Sequence, residues 1–352
     1  MKNKNKYKQL TFAPFCYSTP SISSSSWMVL FLLLPQIVML FITKSYVAVG
    51  QIVISILSAI AADVIYSLIV KKSLVPSITV ILQGMLIGFF IPEGYPIFLL
   101  INVVLFSLLL AYYLFGGFAQ SWINPVAITV IFLYLLGTQY FPGFTLNASH
   151  LQSPNVGQQL VNDGFIEKIA TDGNITNFLN AKVFKFAGVS LPEGYVSLFW
   201  DTGALIPAFR FNLLTLIATM ILLAFGGIKW IIPCVFLFIY GLLVRIFGLF
   251  PYGGILNQGD ILLAIFSSGT IMTAFLLLQW PGTTPMTIVG KVVFGILSGV
   301  LAFLIMGCGT SPIGAMFVIL ITNVISPIIQ LVEDLIYQKI LRVKEKKNDR
   351  EN

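Results

Sequence analysis

Two groups of residues stand in this sequence where lipid does not ask for them. The first is Asp63, in SAIAADVIYSLIVKK, the one acidic residue well inside an apolar run. Leaving it ionised in hydrocarbon costs at least about 2.5 kcal/mol. It must therefore face protein or water, where it serves either a cation or proton pathway or a structural pair. The second is SSGTIMTAFLLLQWPGTTP, 267–285. Ser267, Ser268, Gly269, Thr270 and Thr273 offer hydroxyls and close approach, and Pro281-Gly282 stops the helix. Small residues of this kind suit close helix packing, and they equally suit the wall of a ligand cleft.

Other chemistry is absent from the pattern. There is no P-loop, dinucleotide-binding glycine fingerprint, HExxH, CxxC or nucleophile elbow, so no catalytic residue is assigned. His150 has no partner pattern, and a metal site needs several ligands. Cys16, Cys234 and Cys308 lie in apolar surroundings without ligand spacing and read as packing residues. No metal site is expected. Any redox work must come from a cofactor that the protein positions.

The elements that must position these residues follow from composition. Of 352 residues, 57% are hydrophobic and 9% charged, with a mean hydropathy of +0.94. One core cannot bury so much apolar surface, so the chain reads as an all-α polytopic membrane protein. Apolar runs near 26–43, 47–70, 74–91, 97–114 and 123–141 predict five transmembrane helices. Runs near 206–225, 230–248, 261–279, 288–307 and 313–332 predict five more. The first run has no small-residue cleavage site after it and reads as a span, not a signal peptide. The expected divisions are an N-terminal membrane half, 1–141, an extracytoplasmic loop, 142–205, a C-terminal membrane half, 206–335, and a basic tail, 336–352. Lysines 2, 4, 6, 8, 71, 72, 229 and 291 and six basic residues of the tail fall on one side under this count. That makes the termini cytoplasmic and the long loop external.

The halves repeat a pattern. GMLIGFFIPEGYP (84–96) and GTIMTAFLLLQWPGTTP (269–285) each end in a Pro/Gly break. Each is followed by a helix, then by GGFAQSWINP (116–125) or GCGTSPIGA (307–315), then by another helix. Breaks at corresponding positions of two halves point to a central binding site. Freed backbone groups are tolerated at membrane depth only inside protein or beside a polar cavity.

Four stretches, ILQGMLIGFFIP (81–92), GGFAQSWINPVA (116–127), SSGTIMTAFLLLQWPGTTP (267–285) and GTSPIGAMFVILITN (309–323), together resemble one family. It comprises RnfD of the Rnf ion-translocating electron-transport complex and NqrB of the Na+-translocating NADH:quinone reductase. Length and loop pattern favour the Rnf protein. The resemblance implies a flavoprotein component of a translocase-type oxidoreductase in the inner (cytoplasmic) membrane, without independent catalytic activity. It would pass electrons coupled to Na+ or H+ translocation. The other subunits of the complex, and a flavin transferase, would be its partners.

The resemblance also implies FMN held through its phosphate by a loop threonine in a motif like D-G-x-S-x-A-T. The matching stretch is DGFIEKIATDGNITNF, 163–178, which makes Thr171 the candidate. Here the spacing is two residues longer, Lys168 takes the usual serine position and Asp172 replaces the proline that often follows. Some members carry a second, non-covalent flavin, with riboflavin the candidate. Asn124, Pro125, Ser268, Gly269, Thr283 and Thr284 are the positions that could line such a site. The acid the family commonly has before its Thr-Thr pair is missing from Gln279-Trp280-Pro281-Gly282. A solute channel or transporter of duplicated fold, or a flavin-less scaffold within the complex, are the alternative readings.

Overall fold

The computed structural model describes residues 21–71, 74–114, 121–143, 153, 155–188, 190–248, 255–307, 309 and 311–351. Cys16, Gly116, Gly117, His150 and Cys308 lie outside the described residues.

The first half contains α1 (Ile22–Ile42), α2 (Tyr46–Val70), α3 (Ile78–Phe89), α4 (Ile97–Leu108) and α5 (Pro125–Leu136). The intervening segment holds α6 (Val156–Asn162) and α7 (Asp172–Lys182) with short 3-10 turns. The second half contains α8 (Asn212–Ala224), α9 (Ile231–Phe247), α10 (Ile261–Phe266), α11 (Thr270–Met272), α12 (Ile288–Met306) and α13 (Gly314–Glu351). No strand occurs among the described residues.

Local chemistry explains the helix ends. The Ser21 hydroxyl accepts from Ser24 N and caps α1, and Asn124 caps α5 with Pro125 at the first helical position. Lys71 closes α2 in a left-handed conformation, φ +56°. Helix α1 buries one stripe, Ser26, Leu30, Leu33, Gln36 and Leu40, and exposes Phe31, Val38 and Phe41. The i, i+3, i+4 spacing of that stripe faces the bundle, and the apolar remainder suits lipid.

Four helices, including Gly314–Lys339 of α13, are long and apolar enough to cross a membrane. The other spans are shorter than the sequence runs suggest. The 12 residues of α3 cover about 18 Å at 1.5 Å per residue, against a hydrocarbon core of about 30 Å. Ten of those residues are buried, so the helix ends inside protein, where freed backbone groups find partners. Helix α4 instead widens into a π-turn over Leu109–Tyr113, and α11 does the same over Thr273–Leu277. Bonds from Leu114 N to Leu109 O (3.0 Å) and from Leu278 N to Thr273 O (2.8 Å) close these wider turns. The run 261–279 is split at Ser267–Gly269 as well as stopped at Pro281. The last helix does not end near 332 but continues to Glu351.

Packing repeats between the halves. Helix α2 packs on α3 and α4, α4 on α5, and α3 on α1 and α5. In the second half α9 packs on the broken span and on α12, α12 on α13, and the broken span on α8 and α13. The halves meet through equivalent members, α1 on α8 and α5 on α13. Gln36 on α1 donates to the Thr215 hydroxyl on α8 at 2.8 Å, a polar tie across that junction.

Candidate functional site: a broken helix under a folded intervening segment

The break between α10 and α11 is built from Ser268 (φ +52°) and Gly269 (φ +63°), both left-handed. At Gly269 a Cβ would stand 3.0 Å from the Phe90 ring and 3.2 Å from Phe209, so only glycine meets both demands. The hydroxyls serve the interrupted backbone. Thr270 Oγ1 donates to Ala264 O and Ser267 O, each at 2.9 Å. The Ser267 hydroxyl lies against Leu263 O and Gly309 O, and the Ser268 hydroxyl donates to Gly309 O.

Three aspartates fix the intervening segment. Asp260 caps α10 through Leu263 N (3.0 Å), and its other oxygen accepts from Gly157 N (2.9 Å) and the Tyr195 hydroxyl (2.7 Å). That carboxylate therefore pins α6 to the broken span. Asp172 is fully buried and accepts from Gly194 N, Ser197 N, and the Ser197 and Thr176 hydroxyls. Burial alone would raise its pKa, but these donors hold it below the usual carboxylate range. Asp201 is buried too, with Gly203 N on one oxygen at 2.8 Å. There burial wins, and its pKa is raised against the pull of the Gly203 and Ala204 N–H groups and Arg210.

Arg210 ties these layers together. Its guanidinium donates to Ala204 O (2.6 Å), the Ser45 hydroxyl (2.7 Å) and Glu93 (3.0 Å). It thereby joins the α1–α2 and α3–α4 turns to the exit of the intervening segment. Beneath lies a cavity of about 250 Å³, walled by Leu160, Phe165, Leu198, Leu205, Phe209, Leu263 and Phe266 among others. Asp201, Ser267, Ser268 and Gly309 are its main polar contributors.

The candidate positions do not form one pocket. Ser268 lines this cavity and Gly269 packs beside it against Phe90 and Phe209. Asn124 lies at the other end of the broken span, donating to Leu277 O at 2.8 Å while accepting from Val126 N and Ala127 N. The Thr283 hydroxyl is spent on Trp280 O (2.8 Å) in the turn that follows. Pro125 and Thr283 are buried and Thr284 is partly buried. Thr171 is exposed on the intervening segment, immediately before α7, and makes no capping bond with its side chain.

Asp63 is half-buried near the end of α2. It accepts from the Tyr113 hydroxyl at 2.7 Å and from Ser77 N at 3.2 Å, and Tyr66 stacks on Tyr113. The carboxylate thus joins α2, the start of α3 and the π-turn of α4. Glu333 accepts from the Thr287 hydroxyl at the start of α12.

Sequence reasoning missed Asp172, Asp201, Asp260 and Arg210 as organisers. A signal was available in each case. Each acid sits beside glycine or aromatic residues in an otherwise apolar or small-residue stretch, where a buried carboxylate can collect backbone N–H groups.

These features define an all-α polytopic membrane protein, internally duplicated, with a folded segment clamped over a broken helix. Residues 9–337 match the model of the NQR2, RnfD, RnfE family. The chain belongs to that family. Similar proteins are named as the RnfD component of an ion-translocating oxidoreductase complex. One from Klebsiella pneumoniae is 24% identical over 353 residues, covering 91% of this chain and 96% of the relative. One from Salmonella paratyphi B is 26% identical, covering 91% and 95%. One from Shewanella pealeana is 24% identical, covering 79% and 83%.

Proposed function

We propose that this chain is the flavin-bearing membrane component of an Rnf-type ion-translocating oxidoreductase complex. It passes electrons along its outer face while the complex moves Na+ or H+. The observation that carries the reading is Thr171, an exposed hydroxyl on a turn whose backbone is locked from beneath by the buried Asp172. Thr171 fits a phosphate-linked FMN. It precedes the 11-residue α7, and the first N–H groups of a helix favour a phosphate placed there. The flavin would supply electron transfer, and the chain's part is to hold it at a fixed place outside the bilayer.

Asn124 and Thr283 have their polar atoms engaged within the protein. No step is assigned to a second, non-covalent flavin. The concentration of basic residues at both ends of the chain supports cytoplasmic termini and an external Thr171.

The test is to produce the protein alongside a flavin transferase and inspect the denatured band for fluorescence. Wild type glows and Thr171→Ala is dark. A dark wild-type band, with no flavin retained after native purification, sinks the electron-carrier reading. Unchanged fluorescence in Thr171→Ala removes only this residue.

A further inference from the structure

A second cleft, of about 150 Å³, lies at the other end of the broken span, among the start of α1, α3 and the α8–α9 turn. Ile22, Val29, Leu82, Leu86, Phe275 and Leu276 give it an apolar wall. Gln279 also lines it. The Gln279 Oε1 atom accepts from Lys229 N at 3.1 Å, which fixes the orientation of the amide. Its Nε2 group is shut off from solvent, and no acceptor lies within hydrogen-bond reach among the described residues. A buried donor left so is costly unless a ligand brings the acceptor.

Two lysines stand beside this cleft. Lys229 is exposed in the α8–α9 turn, whose Gly227 and Ile228 line the wall. Lys291 is 8% exposed, and its Nζ donates to Met286 O at 2.9 Å. The two side-chain nitrogens lie within hydrogen-bond reach of each other. Ammonium groups have donors and no acceptor, so the pair repels unless an anion comes between them. Among the described residues the ion pairs are Lys168 with Glu193 and Arg210 with Glu93, so neither lysine has a carboxylate partner. Glu333, on α13 opposite Gly290, is held by the Thr287 hydroxyl instead. Trp27 follows Ser26 of the cleft wall and Trp230 follows Lys229, and both rings are largely exposed. Tryptophans so placed mark the level of lipid headgroups.

We propose that this cleft binds a phospholipid of net negative charge, its phosphate held by Lys229, Lys291 and the Gln279 amide and the start of one acyl chain lying along the apolar wall. A zwitterionic headgroup would bring a third cation to the lysine pair. A soluble phosphate would leave the apolar wall uncovered. The count of basic residues puts both lysines on the cytoplasmic side, where anionic lipids concentrate and basic pockets between spans take their headgroups. An occupied cleft ties α1 of the first half to the broken span and the α8–α9 turn of the second, so the lipid acts as a joint between the halves. Binding requires neither flavin nor partner proteins.

The experiment titrates the full-length chain, in neutral detergent at constant ionic strength, with phosphatidylglycerol, phosphatidylcholine or inorganic phosphate. The thermal unfolding midpoint of wild type rises saturably with phosphatidylglycerol and hardly at all with the other two. No rise with phosphatidylglycerol overturns the proposal. An equal rise with phosphatidylcholine overturns it too, since the cleft is then an apolar groove without charge selection. A rise with inorganic phosphate that matches phosphatidylglycerol makes this a site for the soluble anion and overturns the lipid assignment. Lys229→Gln removes an exposed side chain, so the variant folds. Its half-saturating phosphatidylglycerol concentration rises about fivefold, the scale for one lysine facing an anionic lipid surface. Lys182→Gln, on the exposed face of α7, leaves that concentration unchanged. An unchanged value in Lys229→Gln, or an equal rise in Lys182→Gln, overturns the proposal.

Discussion

At the residue scale, Asp172 shows how one substitution within a motif changes its support. Where proline often follows the threonine in the resembled family, this chain has a buried carboxylate with backbone and hydroxyl donors around it. Because those donors hold its pKa below the ordinary value, the unfolded chain takes up the proton more readily than the folded one. The stabilisation is complete above the unfolded value of about 3.9 and drains away as pH falls through the lower folded value. Limited proteolysis of the external segment should therefore be flat from neutral pH down to about 5 and accelerate below about 4. Asp172→Ala strands the Gly194 and Ser197 N–H groups, at about 2 kcal/mol, and should be cut rapidly at neutral pH. An Asp172→Ala segment as resistant as wild type would refute the anchoring role. The sequence revealed the substitution but not its consequence, because the partners lie 22 and 25 residues downstream.

At the element scale, glycines set how closely helices approach. A Cβ on Gly84 would lie 2.6 Å from Ile56 Cα, and one on Gly88 would lie 2.6 Å from Ile52 Cα, both backbone atoms of α2. In the second half, a Cβ on Gly295 or Gly299 of α12 would lie 2.9 Å from the Val235 or Ile239 side chain of α9. Glycines four apart lie on one helix face, which is why each pair permits close crossing. Gly84→Leu should push α2 from α3 and lower stability by about 1–3 kcal/mol, read as a drop in the detergent unfolding midpoint. Gly50, with open space where its Cβ would go, is the control: Gly50→Ala should leave the midpoint unchanged or raise it. Equal midpoints for Gly84→Leu and wild type would mean the crossing is not tight. Sequence marked GMLIG as a family stretch, but the partner of its glycines is set by packing.

At the scale of the whole molecule, five spans per half predict that the α6–α7 segment and the C-terminal end of α13 lie on opposite sides of the membrane. Cysteine labelling checks this directly. Phe178→Cys, on the exposed face of α7, should react with a membrane-impermeant maleimide added to intact cells, and Tyr337→Cys should react only after lysis; the reverse pattern would invert the topology. Composition alone determined that the chain is helical and membrane-embedded, because 57% hydrophobic residues leave no soluble alternative. The repeated Gly/Pro breaks showed the duplication, and the quoted stretches showed the family. The sequence could not place the polar residues, since apolar periodicity tells which helices form but not which pairs touch. Only the tertiary structure separated Ser268 from Asn124 along the broken span, set Asp63 against Tyr113, and gathered Asp172, Asp201, Asp260 and Arg210 into the layer over the cavity. The physical reason is that a buried polar group is defined by the partner that satisfies it. In this fold those partners sit as far as 179 residues away in the chain.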